Sequence, residues 1–150
     1  YLFGRFVEER FLEIFGSAAG KGLYLLMYFG ALIVSLLPTY FKNKHNYQYR
    51  SLGASGAVSA VVFAGLMIAP YVEVGFFIIP PFIPGFVFGP LYLIISAYLD
   101  RKGGGNINHS AHIYGALFGI IFLIASSYLL TDYDAINAFI AGIRYYFNSR

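Results

Sequence analysis

A serine and a histidine inside apolar segments are the residues of this chain whose types point to catalysis. Ser55 stands in a run of small residues, Gly-Ala-Ser-Gly-Ala, and its hydroxyl becomes a nucleophile only when a base takes its proton. His112 is the one histidine within a predicted membrane span, where an ionisable side chain is costly and therefore a functional candidate. Together they predict nucleophilic catalysis by a Ser–His dyad.

The elements that carry these residues are membrane helices by composition. Of the 150 residues, 59% are hydrophobic and 11% are charged, whereas soluble domains carry roughly 45–50% apolar and about 25% charged residues. We therefore expect an integral, multi-pass membrane protein. The net charge of +3 comes from cations scattered among short connections, which does not indicate a nucleic-acid partner.

Four apolar stretches approach the roughly 20 residues that a membrane-spanning helix needs. The predicted spans cover residues 22–41, 52–72, 85–99 and 110–130. Residues 1–21 are expected to hold the end of an earlier element and a turn, and the proline-rich residues 74–84 an apolar loop. Residues 131–150 suggest an amphipathic tail helix or a frayed end. The expected fold is an all-α polytopic helical bundle, with a transmembrane core over residues 1–130.

Alternation of the spans predicts that Ser55 and His112 lie at the same depth. Because the third span crosses back, the second and fourth spans enter the membrane from the same face. Gly115 and Gly119 follow His112 on one helix face, and Gly56 offers a small residue beside the serine. Small residues let membrane helices approach closely, which is also the ordinary packing explanation for the serine run.

Backbone amides near Ser55 are candidates to stabilise an oxyanion. The start of a helix offers free amides and a positive dipole end, and Gly53 would leave the amides of residues 53–55 uncovered. A third triad member is missing, since Glu73 lies about 27 Å further along a helix. His109 and His112 have no third ligand at suitable spacing, so no metal site is expected.

Two sequence motifs resemble those of the rhomboid intramembrane serine proteases. Gly-Ala-Ser-Gly over residues 53–56 is similar to the family's G-x-S-G serine motif. Ala111 and His112, with glycines at 115 and 119, are similar to its A-H-x-x-G-x-x-x-G motif. The opening residues 1–8 resemble the end of the family's second core helix, so the resemblance covers about residues 1–130.

The resemblance implies a six-helix core, of which this chain holds four transmembrane helices and the end of the second helix. Ser55 would be the nucleophile and His112 the base, with the amides of Gly53, Ala54 and Ser55 in the oxyanion hole. Substrates would be single-span membrane proteins in the lipid bilayer, cleaved without a cofactor. The family's histidine and asparagine pair from the second helix would lie just upstream of Tyr1, so this chain by itself is expected to be inactive.

One departure from the family's pattern concerns the side chain that stacks on the histidine ring. The family often has an aromatic residue four positions after the serine, stacked on the histidine, and Ser59 stands there in this chain. Tyr114 and Phe118 point elsewhere on the helix of His112. Two alternatives also remain: a catalytically silent rhomboid-like binding or chaperoning protein, and a transporter fragment, which only the proline-broken third region supports.

Overall fold

The computed structural model of the chain describes residues 2–48, 53–76, 79–103 and 107–149. Tyr1, Leu52 and Arg150, which bound predicted segments, lie outside these ranges. The described residues form, in chain order, α1 (Leu2–Phe15), α2 (Ser17–Asn43), α3 (Ser55–Ile68), β1 (Glu73–Phe76), β2 (Ile79–Pro84), α4 (Gly85–Lys102), α5 (His109–Leu130) and α6 (Ala135–Asn148).

Two of the described helices, α2 and α5, are long and apolar enough to cross a membrane. α3 is apolar but has only 14 residues, which corresponds to about 21 Å of helix against a hydrocarbon core of about 30 Å. The helix is shorter than the predicted span 52–72 because it ends before Pro70, and the residue before a proline disfavours helical backbone.

Residues 2–21 were expected to hold the end of an earlier element and a turn, but they are almost entirely helical. They form α1 and the first turn of α2, separated only by Gly16, whose φ of 82° lies in the left-handed region that favours glycine. The two helices make a tight antiparallel hairpin, since a Cβ on Gly20 would lie 2.7 Å from the carbonyl carbon of Phe11. This hairpin contributes to the main buried cluster, which contains Val7, Phe11, Met27, Val61, Ala64, Leu123 and Ala135.

The proline-rich segment folds as a β-hairpin rather than an irregular loop. β1 and β2 pair antiparallel, with Val74 opposite Ile83. Both strands of a two-stranded sheet are edges, where proline is tolerated. The N–H of Gly85, at the start of α4, donates to the carbonyl of Val72 at 2.9 Å. The β1–β2 hairpin thereby lets α4 run back along α3.

α3 and α5 run parallel and touch through their backbones. A Cβ on Gly115 would lie 2.9 Å from the Cα of Gly56, and one on Gly119 would lie 2.7 Å from the Cα of Ala60. Both contacts have the same offset, so the register between the two helices is fixed over a full turn. α2 packs antiparallel to α5, with Gly30 against the ring of Phe118.

Large apolar side chains face outward on the longer helices. Those more than half exposed on α2, α4 and α5 include Leu26, Phe29, Ile33, Ile94, Ile121 and Leu129. Contiguous apolar surface of this kind is rare on proteins that are dissolved in water. α6 is also amphipathic, and its N-terminus is capped by the carboxylate of Asp134, which accepts from the N–H groups of Ile136 and Asn137.

The α3–α5 contact predicts that one added methyl group at Gly119 lowers the stability of the protein. Gly119→Ala would push a Cβ into the backbone of Ala60, and a backbone cannot rotate aside as a flexible side chain can. Overpacking of this kind typically costs about 1–3 kcal/mol. We expect a lower Tm for this variant in detergent micelles. Gly22→Ala is the matched control, because no atom lies within 4 Å of a Cβ there. Equal Tm values for the two variants would contradict the contact.

Candidate active site

Ser55 is the first residue of α3, and its side chain is exposed. Gly53, two residues earlier, has a φ of 110°, which residues with a side chain rarely adopt. Ala54 occupies the N-cap position, and among the described residues no side-chain hydrogen bond caps the helix. The first amides of α3 are therefore left without helical partners at the positive end of the helix dipole, an environment that favours negative charge.

His112 lies in the first turn of α5 and is half-buried. Its Nδ1 is 3.0 Å from the hydroxyl oxygen of Tyr92 on α4. The two rings are nearly parallel, at 24°, with centroids 6.3 Å apart. Ser59 is buried on α3 and has no ring to offer, so the aromatic neighbour of the histidine comes from a different helix.

Ser55 and His112 both adjoin the α3–α5 contact. A Cβ on Gly56, the residue after the serine, would lie 3.1 Å from the carbonyl oxygen of Ala111, the residue before the histidine. Among the described residues, no hydrogen bond joins the two side chains. Catalytic hydrogen bonds are often long in proteins without substrate and shorten in the complex. Because Tyr92 contacts Nδ1, Nε2 is the ring nitrogen left to face a nucleophile.

The start of α5 is held by a polar contact with α2. The side-chain oxygen of Asn108 accepts from the N–H of Ala111 and from the hydroxyl of Thr39, both at 3.0 Å. Neither residue of this pair was predicted as part of the site. An asparagine directly before an apolar run is an N-cap signal that would have identified Asn108, but nothing in the sequence singles out Thr39.

His109, at the start of α5, is partly enclosed. Its ring meets the ring of His112 edge-on, with centroids 6.0 Å apart. Its Nδ1 is buried and has no hydrogen-bond partner in the part of the chain that the structure describes. On another side His109 lines a polar cleft together with Lys42 and Asp100.

The Thr39–Asn108 contact predicts that loss of the Thr39 hydroxyl lowers the stability of the protein. Thr39→Val keeps the shape of the side chain but removes the hydroxyl that donates to Asn108. Loss of one such bond costs about 1 kcal/mol, so we expect a lower Tm in micelles. Thr39→Ser retains the hydroxyl and should retain most of the stability. If valine and serine gave the same Tm, the hydrogen bond would not hold α5.

A known protein family matches the chain from its first residue to near the end of α5. The sequence model of the Rhomboid domain matches residues 1–128, a region that contains Ser55, Tyr92 and His112. No curated protein and no solved structure matches the chain significantly. A match over most of the chain, together with two apolar helices long enough to cross a bilayer, establishes the class. The chain belongs to the rhomboid family of membrane proteins.

Proposed function

We propose that this chain carries the catalytic dyad of an intramembrane serine endopeptidase. Ser55 attacks the scissile carbonyl carbon, and His112 takes the hydroxyl proton and later gives it to the leaving amine. The observation that carries the proposal is the α3–α5 contact, in which Gly56 and Ala111, the direct neighbours of the dyad, approach each other. Membership of the rhomboid family supports the same chemistry.

The amides of Gly53, Ala54 and Ser55 form the proposed oxyanion site. A tetrahedral intermediate places negative charge on the former carbonyl oxygen, and preorganised N–H groups stabilise it. Support comes from the positive φ of Gly53 and from the position of Ser55 at the start of α3, where the helix dipole is positive.

Hydrolysis inside a membrane protein also needs water, since the acyl-enzyme must be cleaved. The polar cleft beside His109 is lined by Lys42, Asp100 and the N-terminal residues of α5. His109 also contacts the ring of His112, which would activate the water after the leaving group departs. The cleft therefore supports a route for water that does not pass the apolar exterior.

The proposed substrates are single-span membrane proteins that reach Ser55 from the bilayer. The family implies membrane-embedded substrates. We infer four membrane-crossing helices, α2 to α5, so that the chain is multi-pass. α3, at about 21 Å, starts below one membrane face if its other end reaches the opposite one. Ser55 would then lie within the depth of the membrane, near a segment of substrate that must leave its helical form to be cleaved.

A second candidate is a catalytically silent rhomboid-like protein that binds membrane proteins. The observation that favours it is that no hydrogen bond joins Ser55 to His112 among the described residues. The transporter alternative has lost its support, because the proline-broken region forms the β1–β2 hairpin. The two remaining candidates differ in whether the serine reacts.

Substitution of the dyad separates these candidates. In liposomes that contain the full-length protein and a fluorogenic single-span substrate, Ser55→Ala and His112→Ala should each lower the cleavage rate by roughly 1,000-fold or more, because the two residues act as a unit. Ser59→Ala and His45→Ala are matched controls that should cleave normally.

Two results would overturn the assignment. Cleavage that survives Ser55→Ala would show that another residue is the nucleophile. A folded wild-type protein that cleaves no substrate of a broad panel, and whose Ser55 does not react with a fluorophosphonate, would favour the silent binder.

A further inference from the structure

Tyr92 is the centre of an aromatic group drawn from three helices. Its ring centroid lies 5.8 Å from that of Phe63 on α3, at an interplanar angle of 52°. It also lies 5.8 Å from that of Phe88 on α4, at 27°. Aromatic pairs at such distances contribute beyond the area they bury. With His112 on a further side, the tyrosine ring has contacts that fix its position before any substrate binds.

The hydroxyl of Tyr92 contacts the one nitrogen of His112 that the proposed chemistry does not use. A base that accepts the serine proton at Nε2 must carry its own proton on Nδ1, and neutral imidazole can hold the proton on either nitrogen. A partner that can only accept selects the Nδ1–H form, whereas a tyrosine hydroxyl can either accept from Nδ1–H or donate to Nδ1. The hydroxyl oxygen lies 3.0 Å from Nδ1, which is hydrogen-bond distance.

We propose that Tyr92 is the positioning residue for His112, and this rests on the proposed protease function. Nδ1–H donates to the hydroxyl oxygen of Tyr92, which leaves the lone pair of Nε2 facing the serine side of the site. The stacked arrangement fixes the plane of the imidazole ring, and the hydrogen bond fixes its rotation. A nucleophile and base pair whose base is oriented by a third group is the usual arrangement of such sites.

The proton balance is the same with Tyr92 in this role. As the Oγ of Ser55 bonds to the carbonyl carbon, its proton moves to Nε2, and the imidazolium keeps Nδ1–H donated to Tyr92. Nε2–H then protonates the leaving nitrogen as the C–N bond breaks. Water repeats the cycle on the acyl-enzyme, with its proton passing through Nε2 back to Oγ. Tyr92 keeps its proton throughout.

The placement of Tyr92 on α4 makes the base depend on a lightly buried helix. Within the described chain, the buried residues of α4 are Gly85, Gly89 and Ser96, all small. The serine and histidine helices, by contrast, touch through their backbones. Displacement of α4 would therefore separate the tyrosine hydroxyl from Nδ1 while the α3–α5 contact persists.

Tyr92→Phe tests the hydroxyl while keeping the ring between Phe63 and Phe88. In the liposome assay we expect kcat to fall on the order of 10-fold, the loss that corresponds to one hydrogen bond, with KM unchanged. Tyr92→Leu also removes the stacking, so its kcat should fall further. The matched control is Tyr98→Phe, on the same helix, at a side chain that is 65% exposed. It should cleave as wild type.

A spectroscopic measurement checks the tautomer directly. The ¹⁵N spectrum of histidine-labelled protein, assigned with His112→Ala, should show His112 protonated at Nδ1 in wild type and in Tyr98→Phe. Tyr92→Phe should shift the population toward Nε2–H. Wild-type kcat and an unchanged ¹⁵N spectrum in Tyr92→Phe would overturn the proposal. Cleavage retained in Ser55→Ala would instead overturn the protease function, whatever the ¹⁵N spectrum shows about Tyr92.

Discussion

The backbone contact between α3 and α5 is the constraint on which the other features depend. In lipid, apolar side chains gain little by leaving their surroundings, so helices associate through close packing, and glycine permits the closest approach. Gly115 and Gly119 meet Gly56 and Ala60 with one constant offset. That offset sets the depth of Ser55 relative to His112. A dyad on two separate helices needs such a register, since a slip of one helical residue moves a side chain by about 1.5 Å along the axis and turns it to another face.

The α3–α5 contact alone does not fix the position of the first turn of α5, which contains His112. Hydrogen bonds to a third helix also hold that turn. Asn108 caps α5 and is itself held by Thr39 of α2. The first turn of α5, which contains His112, is therefore tied to a third helix as well as to α3. The serine end of α3 differs, because Ala54 leaves its amides uncapped. One helix start is satisfied by a side chain and the other is left open, where a developing negative charge would be stabilised.

The sequence predicted those parts of the molecule that local pattern determines. α5, at His109–Leu130, agrees with the predicted span 110–130 because its apolar run lies between an asparagine and a threonine. The hairpin was missed because prolines exclude a helix but do not specify strand pairing. The position of Tyr92 had no local signal: it is one of 14 tyrosines, and its partner lies 20 residues away on another helix. Only the packing of α4 against α3 and α5 brings the rings together.

The geometry divides two requirements of the proposed chemistry between different parts of the bundle. The distance between nucleophile and base depends on backbone contacts in the most closely packed helix pair, whereas the orientation of the base depends on one side chain from α4. A backbone-to-backbone contact has no flexible side chain through which it could adjust. A tyrosine hydroxyl at 3.0 Å is lost with a small displacement of its helix, since hydrogen bonds weaken steeply with distance and angle. The proposed dyad can therefore keep its spacing while the orientation of its base depends on the position of α4.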